Sequence, residues 1–562
     1  MKKNVLSKVT AVALALIMTA SIVTGCGRSS SDKKNDNNAK DTTANEGVTD
    51  EKDSGQEEGT NNEGAYEDYS KGFPEKVTIQ IPVYDRAFEG WNVTDNYYTR
   101  WIQSEFGDKY NVNVEYVAIG RTTEVQDYMQ MIAAGSAPDI IMHYDMPQAV
   151  NYYNEGAIQD IDLKEIKYYA PDYYNKLAGT IEKYGKLDGK SAFFFAQRDA
   201  IYYNFVTLIR QDWLDAVGKS MPTNRAELEE VARAWKDAGL GTLGETLITK
   251  SFTYEYPFID KNTTVEEFAK YLDLNVAPFT WDATKAYLQT LNKEYNEGLI
   301  DPEFYLNKED VDTKADFVAG NTGTYSFYIS STTDVISSLV ANNPDAKVSV
   351  MNSGAGSPNG TSYYYQYPGY GMVMGINSDT TKEQRAAIWM LLNWMTQDEN
   401  LFFLQNGVEG QNYILNADGI AEPVADFSGE SKLSNNNNKD YWCLVEEVAN
   451  YGDSDLNLKA NMKILAPVGY ENLIQDSFDY AKQNEQYGLI TPIFTKTVES
   501  VSEYSADLSA MWQEFYVDCI TCSPDEFESK YEAYCKEYLE NGYQEILDEK
   551  QSLLDSGDYI AE

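Results

Sequence analysis

Residues 135–161 read GSAPDIIMHYDMPQAVNYYNEGAIQDI. Ala137-Pro138 is a turn signal, and the short apolar run Asp139-Ile140-Ile141-Met142 behind it predicts a buried strand. Upstream, Val125, Tyr128, Met129 and Ile132 share one helical face, which Gly135 closes. Before them Val112, Val114 and Tyr116 alternate as a strand does. Tyr97, Trp101 and Ile102 have helical spacing within 96–106, and Val77, Ile79 and Ile81 alternate again. A β-α-β-α-β order predicts a parallel α/β sheet. Ligands of such sheets sit beyond the carboxyl ends of the strands. Here those ends are the loops at Tyr84-Asp85-Arg86 and His143-Tyr144-Asp145.

Downstream the pattern changes. Lys186-Leu187-Asp188-Gly189-Lys190 reads as a turn, followed by apolar strands at Phe193-Phe194-Phe195 and Ile201-Tyr202-Tyr203. Asp212-Trp213-Leu214 opens a short helix stopped at Gly218. Thr223 is the expected cap of a longer one with Leu228, Val231, Ala232 and Trp235 on one face. Asp282 to Glu297 is a third helix, with Gly298 as its stop. Gly371 to Gly375 is strand-like, Glu383 to Gln397 is helical, and the last stretch is helical from about Leu508. A further helix start is expected at Ser523-Pro524-Asp525-Glu526, which has the capping-box pattern.

Composition removes several function classes. The 562 residues carry 89 acidic and 45 basic side chains, net −44, so no basic face for nucleic acid is expected. One histidine, His143, would have to serve any triad or two-histidine zinc site alone. It follows an apolar run and reads as a satisfied pocket or edge residue. Cys443, Cys519, Cys522 and Cys535 read as structural or free, because Cys519-x-x-Cys522 has no second pair or nearby histidine. Gly189-Lys190-Ser191 and Gly218-Lys219-Ser220 mimic the end of a P-loop, but Tyr184 and Trp213 occupy the earlier glycine position. No catalytic set, cofactor or metal site is expected.

The N-terminus has Lys2, Lys3 and Lys8, an apolar run from about Val9, and then Val23-Thr24-Gly25-Cys26. This is a secretory signal at 1–25. The run is shorter than the ~20 residues of a membrane span. The cysteine position resembles the lipobox of bacterial lipoproteins. That resemblance implies lipidation of Cys26 and localisation on the extracellular face of the cell membrane, held by the lipid anchor alone. Residues 26–73 are polar and aliphatic-poor and read as a disordered spacer.

Four stretches resemble one family in the right order. Residues 135–161 resemble the "G-x-x-PDI…A…G-x-L" segment of extracellular solute-binding proteins of ABC transporters. YYNFVTLIRQDWLDAVGKSMPTNRAELEEVARAW, EYNEGLIDPEFYLNKEDVDTKADFVAGNTGTYSFY and LQNGVEGQNYIL resemble further segments of its lipoprotein-type, oligosaccharide-binding branch. The resemblance implies an α/β, two-lobed, flytrap-like fold with interlobe crossings near 202–204, 368–371 and 491–494. Lobe one would be 74–202 plus 370–490, and lobe two 204–368 plus 494–562. It implies a monomer that captures an oligosaccharide, delivers it to permease subunits, and is not an enzyme. Many members of the branch carry a calcium loop where this chain has Asp237-Ala238-Gly239-Leu240-Gly241-Thr242-Leu243-Gly244, which is too poor in oxygen ligands. Asp453-Ser454-Asp455-Leu456-Asn457 lacks the loop's glycine and final glutamate, so no calcium is expected there either.

Aromatic side chains suggest how a sugar would be held. The chain has 44 Tyr, 9 Trp and 21 Phe. A tyrosine covers the apolar face of a pyranose and offers a hydroxyl to its edge. Most tyrosines replace phenylalanine at half-buried positions; those at strand ends are the candidates. These are Tyr84, Asp85, Arg86 and Trp91, then Tyr144 and Asp145, with Arg198 and Asp199 near the first crossing. Lobe two offers Tyr256 and Tyr328, and Tyr370 sits at the second crossing. Arg86 and Arg198 have a structural ion pair as their alternative role. A surface glycoside hydrolase using two carboxylates is one rival function; a peptide-binding or sensing protein of the same fold is another.

Overall fold

The computed structural model describes residues 66–561, apart from 87–88, 199–204, 245–254, 257, 260–261, 274, 308–309, 330–331, 367, 425–426 and 434–438. Cys26, Asp199, the strand expected at Ile201-Tyr202-Tyr203 and the crossing expected at 202–204 lie outside the described residues.

Strand β1 (Val77–Asp85) buries Ile79, Ile81 and Val83, as their alternation requires. Helix α1 (Tyr97–Ile102) starts on a capping box in which Asn96 accepts from Thr99 N–H and the Thr99 hydroxyl serves the Asn96 backbone. Strand β2 (Val112–Gly120) lies parallel to β1, Val77 opposite Val112. Helix α2 (Glu124–Ala134) ends at Gly135, whose φ of 64° is the left-handed conformation that stops helices. Strand β3 (Ile140–His143) is wholly buried, and helix α3 (Met146–Asn154) starts directly behind it. Strand β4 (Phe194–Gln197) completes this part of the chain.

The chain then builds a second sheet. Strand β5 (Phe205–Arg210) is central, followed by α4 (Arg225–Asp237), α5 (Val265–Tyr271) and α6 (Asp282–Glu297). Strands β6 (Thr324–Tyr328) and β7 (Val348–Met351) flank β5, both antiparallel to it. The cap of α4 is Asn224, one residue after the expected Thr223, whose backbone N–H and hydroxyl instead donate to Glu227.

The return strand β8 (Tyr370–Asn377) corrects the expectation of a simple parallel sheet. It runs antiparallel to β3 and to β4, between them, with Val373 opposite both His143 and Phe195. β1 and β2 form the long parallel pair. β1 joins the start of β3 through Asp139, whose N–H donates to Gln80 O at 2.9 Å and whose carboxylate accepts from Gln80 N–H at 2.7 Å. Helix α7 (Lys382–Thr396) covers this sheet with Ile388, Leu391, Leu392 and Met395, all buried.

One apolar cluster holds residues between Tyr69 and Ala196 and between Tyr370 and Val445. Separate clusters hold residues 206–355 with the later helices. Helices α8 (Ser454–Leu465) and α9 (Glu471–Gln483) supply Leu458, Met462, Leu473 and Ile474 to the cluster around Val206 and Leu208. The expected lobe-one span of 370–490 therefore contains helices that pack on the second sheet. Strand β9 (Ile493–Phe494) leads to α10 (Glu499–Thr521), α11 (Phe527–Tyr538) and α12 (Gln544–Ser556). Helix α10 starts nine residues before Leu508, and α11 starts at Phe527 after a turn in which Ser523 donates to Glu526. The terminal strand β10 (Tyr559–Ile560) pairs antiparallel with β9. Among the described residues no helix is long and apolar enough to cross a membrane.

Candidate functional site

The carboxyl ends of β1 and β3 bring several expected residues together. Tyr84 and Tyr144 stack with ring centroids 6.0 Å apart and planes 13° from parallel. The Arg121 guanidinium lies 5.1 Å from the Tyr84 ring centre and 5.0 Å from that of Tyr144. Sequence reasoning missed Arg121, although it directly follows the end of β2 and its N–H donates to Asp85 O at 3.1 Å. Burial pushes the Tyr144 hydroxyl well above the usual tyrosine range, and the nearby Glu447 charge adds to it.

His143 is a satisfied residue. Its Nε2 lies 2.6 Å from Glu124 Oε1, and its Nδ1 accepts the Asp145 backbone N–H at 2.9 Å. That pattern puts the ring proton on Nε2. Burial works against the Glu124 carboxylate, but His143 and Arg121 outweigh it and hold the group below the usual glutamate range. His143 thereby fixes the entry to α3 and the position of Asp145.

Arg86 takes its alternative role. Its Nε and Nη2 donate to the two oxygens of buried Asp440 at 2.8 and 2.9 Å. Burial opposes the Arg86 charge, and the pair with Asp440 more than restores it. Asp440 is 354 positions away, and no local motif marks it. Glu447 is buried too. Lys439 Nζ lies 3.1 Å from its Oε2, and among the described residues neither carboxylate oxygen has a hydrogen-bond donor. Gly371 is required beside it, because a Cβ there would come 2.3 Å from Glu447 Cγ.

The remaining expected residues scatter. Trp91 packs at 6.3 Å between Tyr98 and Tyr441, against the first cluster. Arg198 is buried, its N–H donating to Gly369 O at 3.1 Å. Tyr370 is buried edge-on against Tyr184, and burial raises its hydroxyl. Tyr328 ends β6 with its ring edge-to-face on Phe327. Tyr256 is described by its backbone only, which pairs with Tyr363.

A cavity of about 160 Å³ opens beside β9. Tyr144, Asp145 and Tyr370 line it on the side of the first sheet. Ala269 of α5, Leu272 and Asp273 of the loop after it, and Lys550 of α12 face them, and Ile490 to Phe494 run along it. Lys550 Nζ sits 2.7 Å from Asp273 Oδ2, both largely buried. Three expected residues thus meet elements of the second half of the chain across one space.

The sequence profile of bacterial extracellular solute-binding proteins matches residues 101–414, more than half of the chain. The chain belongs to that family. This solute-binding protein is also similar in fold to solved members. An extracellular solute-binding protein from Bifidobacterium longum subsp. infantis is 17% identical over 86% of this chain and 99% of its own, with a TM-score of 0.61. The alginate-binding protein AlgQ2, without calcium ion, is 18% identical over 87% of this chain and 100% of its own, TM-score 0.59. The S. pneumoniae ABC-transporter substrate-binding protein FusA in complex with kestose is 15% identical over 85% and 99%, TM-score 0.59. Among curated proteins none matches the chain in sequence. At these identities the likeness establishes the two-lobed α/β fold of solute-binding proteins.

Proposed function

We propose that this solute-binding protein is a cell-surface lipoprotein, anchored through Cys26, that captures an oligosaccharide between its lobes and delivers it to an ABC transporter permease. The observation that carries the reading is the cavity beside β9, bounded by Tyr144 and Tyr370 on one side and by α5 and α12 on the other. A ligand touching both halves binds the closed arrangement better than the open one, which is what a capture device needs. Stacked aromatics near carboxylates and guanidinium groups suit a pyranose face and its hydroxyl edge. Similar folds include proteins described as alginate-binding, as in complex with kestose and as HMO binding. We place the lobes at 74–198 plus 370–447 and 205–366 plus 454–483 and 498–556, with α8 and α9 in lobe two. In this reading the protein acts as a monomer and does no chemistry on its cargo.

Titration calorimetry against neutral and acidic oligosaccharides, peptides and metal ions tests this. The expected result is saturable binding of at least one oligosaccharide. Binding of a peptide or a metal, with no oligosaccharide bound, would sink the sugar reading.

A further inference from the structure

The cavity wall that faces Tyr144 and Tyr370 carries a largely buried ion pair. Lys550 is 3% exposed, and among the described residues it is the only buried lysine. Its Nζ donates to Asp273 Oδ2 at 2.7 Å, and the Asn275 backbone N–H donates to Asp273 Oδ1 at 2.8 Å. The carboxylate is thus held from two sides before any ligand arrives. An ammonium has three N–H donors, and each carboxylate oxygen has two lone pairs, so these contacts do not use up the bonding capacity of the pair. Lys550, Asp273 and Asn275 all line the cavity.

A buried ion pair is a poor means of joining α12 to the loop after α5. Taking two charges out of water is costly, and apolar side chains of similar volume often hold a fold equally well. The chemistry of the pair does suit a sugar. A hydroxyl both donates and accepts. Of two neighbouring hydroxyls on one pyranose, one can accept from Lys550 Nζ while the other donates to Asp273. The pair is already largely dry and has no net charge, so it offers charge-assisted hydrogen bonds with little further desolvation. We propose that Lys550 and Asp273 form a lobe-two subsite that reads a vicinal diol of a pyranose residue in the cavity. This rests on the sugar reading and adds to it the hydroxyl pattern that the site selects. A sugar lacking either hydroxyl leaves a buried charged group with an unmet bond and is discriminated against.

The test uses the mature chain and calorimetry with maltotriose, cellotriose, laminaritriose, mannotriose and trigalacturonate. For each one that binds, its monodeoxy derivatives are measured on wild type and on the double variant Lys550→Met/Asp273→Asn. That variant removes both charges together, leaves neither unpaired and keeps an acceptor for the Asn275 N–H. The expected result on wild type is a loss of about ten- to a hundredfold at two neighbouring ring positions. The double variant is expected to bind the parent sugar weaker by a similar factor and to treat those two deoxy sugars like the parent. A purely structural pair would produce no such coupling. Wild-type binding in which no two neighbouring hydroxyls matter overturns the assignment, whether or not the variant folds. A folded variant that keeps the wild-type deoxy losses overturns it too. Both outcomes leave the sugar reading standing. If none of the trisaccharides binds the wild type, the sugar reading fails and this assignment with it.

Discussion

Single residues carry the chemistry of this cleft. Tyr144 touches the Tyr84 ring, the Arg121 guanidinium and the cavity. Tyr144→Ala should weaken glycan binding by roughly 1–3 kcal/mol, the usual value of an aromatic platform, and should lower the melting temperature as well, since the ring also packs on Tyr84. Glu124 predicts a pH dependence. Its carboxyl is held below its ordinary value of 4.5, so its contribution to stability is fully present above that value and is lost as pH falls through the lower folded one. Glu124→Gln should therefore be less stable than wild type near neutrality, and the difference should shrink on acidification; thermal melts across that range check it. Glu446 has the opposite sign. Burial raises it against the pull of Lys176, so its penalty is present at neutral pH and is relieved in acid. Burial also pushes the Cys519 thiol up to about 12, with Cys522 and Cys535 adding to it. Native protein should therefore react with alkylating reagents at that position far more slowly than unfolded protein.

At the scale of elements, the clearest device is the β9–β10 ribbon. Ile560 packs with the first cluster, while the Tyr559 hydroxyl meets Glu266 of α5 at 3.1 Å. Thr495 N–H donates to Asp558 O, and Lys496 holds the Asp558 carboxylate. In the proposed two-lobed reading, a ribbon with contacts to both halves would restrain their relative motion. Removing residues 558–562 should enlarge the unliganded particle in small-angle scattering while leaving both cores folded by circular dichroism. An unchanged radius of gyration would assign the ribbon no such role. Elements with strong local signals were legible in the sequence. Asp282 to Glu297 ends where Gly298 adopts a φ of 68°, and the β1–α1–β2–α2–β3 order is as the periodicity requires. Long-range pairing was not legible. β8 enters between β3 and β4 from far along the chain and reverses the expected strand direction, and no local pattern in 370–377 encodes that partner choice. The site divides in the same way. Strand ends pointed to Tyr84, Tyr144 and Asp145, whereas Asp440, Glu447 and Lys439 reach the floor only through tertiary packing.

Over the whole molecule, two sheets have separate apolar clusters, and in the proposed reading the two halves open and close on a ligand. The net charge of −44 gives the chain an overall negative field. The proposed lipid anchor at Cys26 makes a prediction about where the protein resides. Cys26→Ser should move it from the membrane fraction of cells to the medium, since the lipid chains are the proposed anchor. Retention in the membrane fraction would require another attachment. The central claim is capture of an oligosaccharide between the lobes, and a crystal structure of the complex tests it most directly. The account predicts a glycan stacked on Tyr144 and in contact with residues of both halves beside β9. A glycan bound on one lobe alone, or away from that cleft, would contradict it.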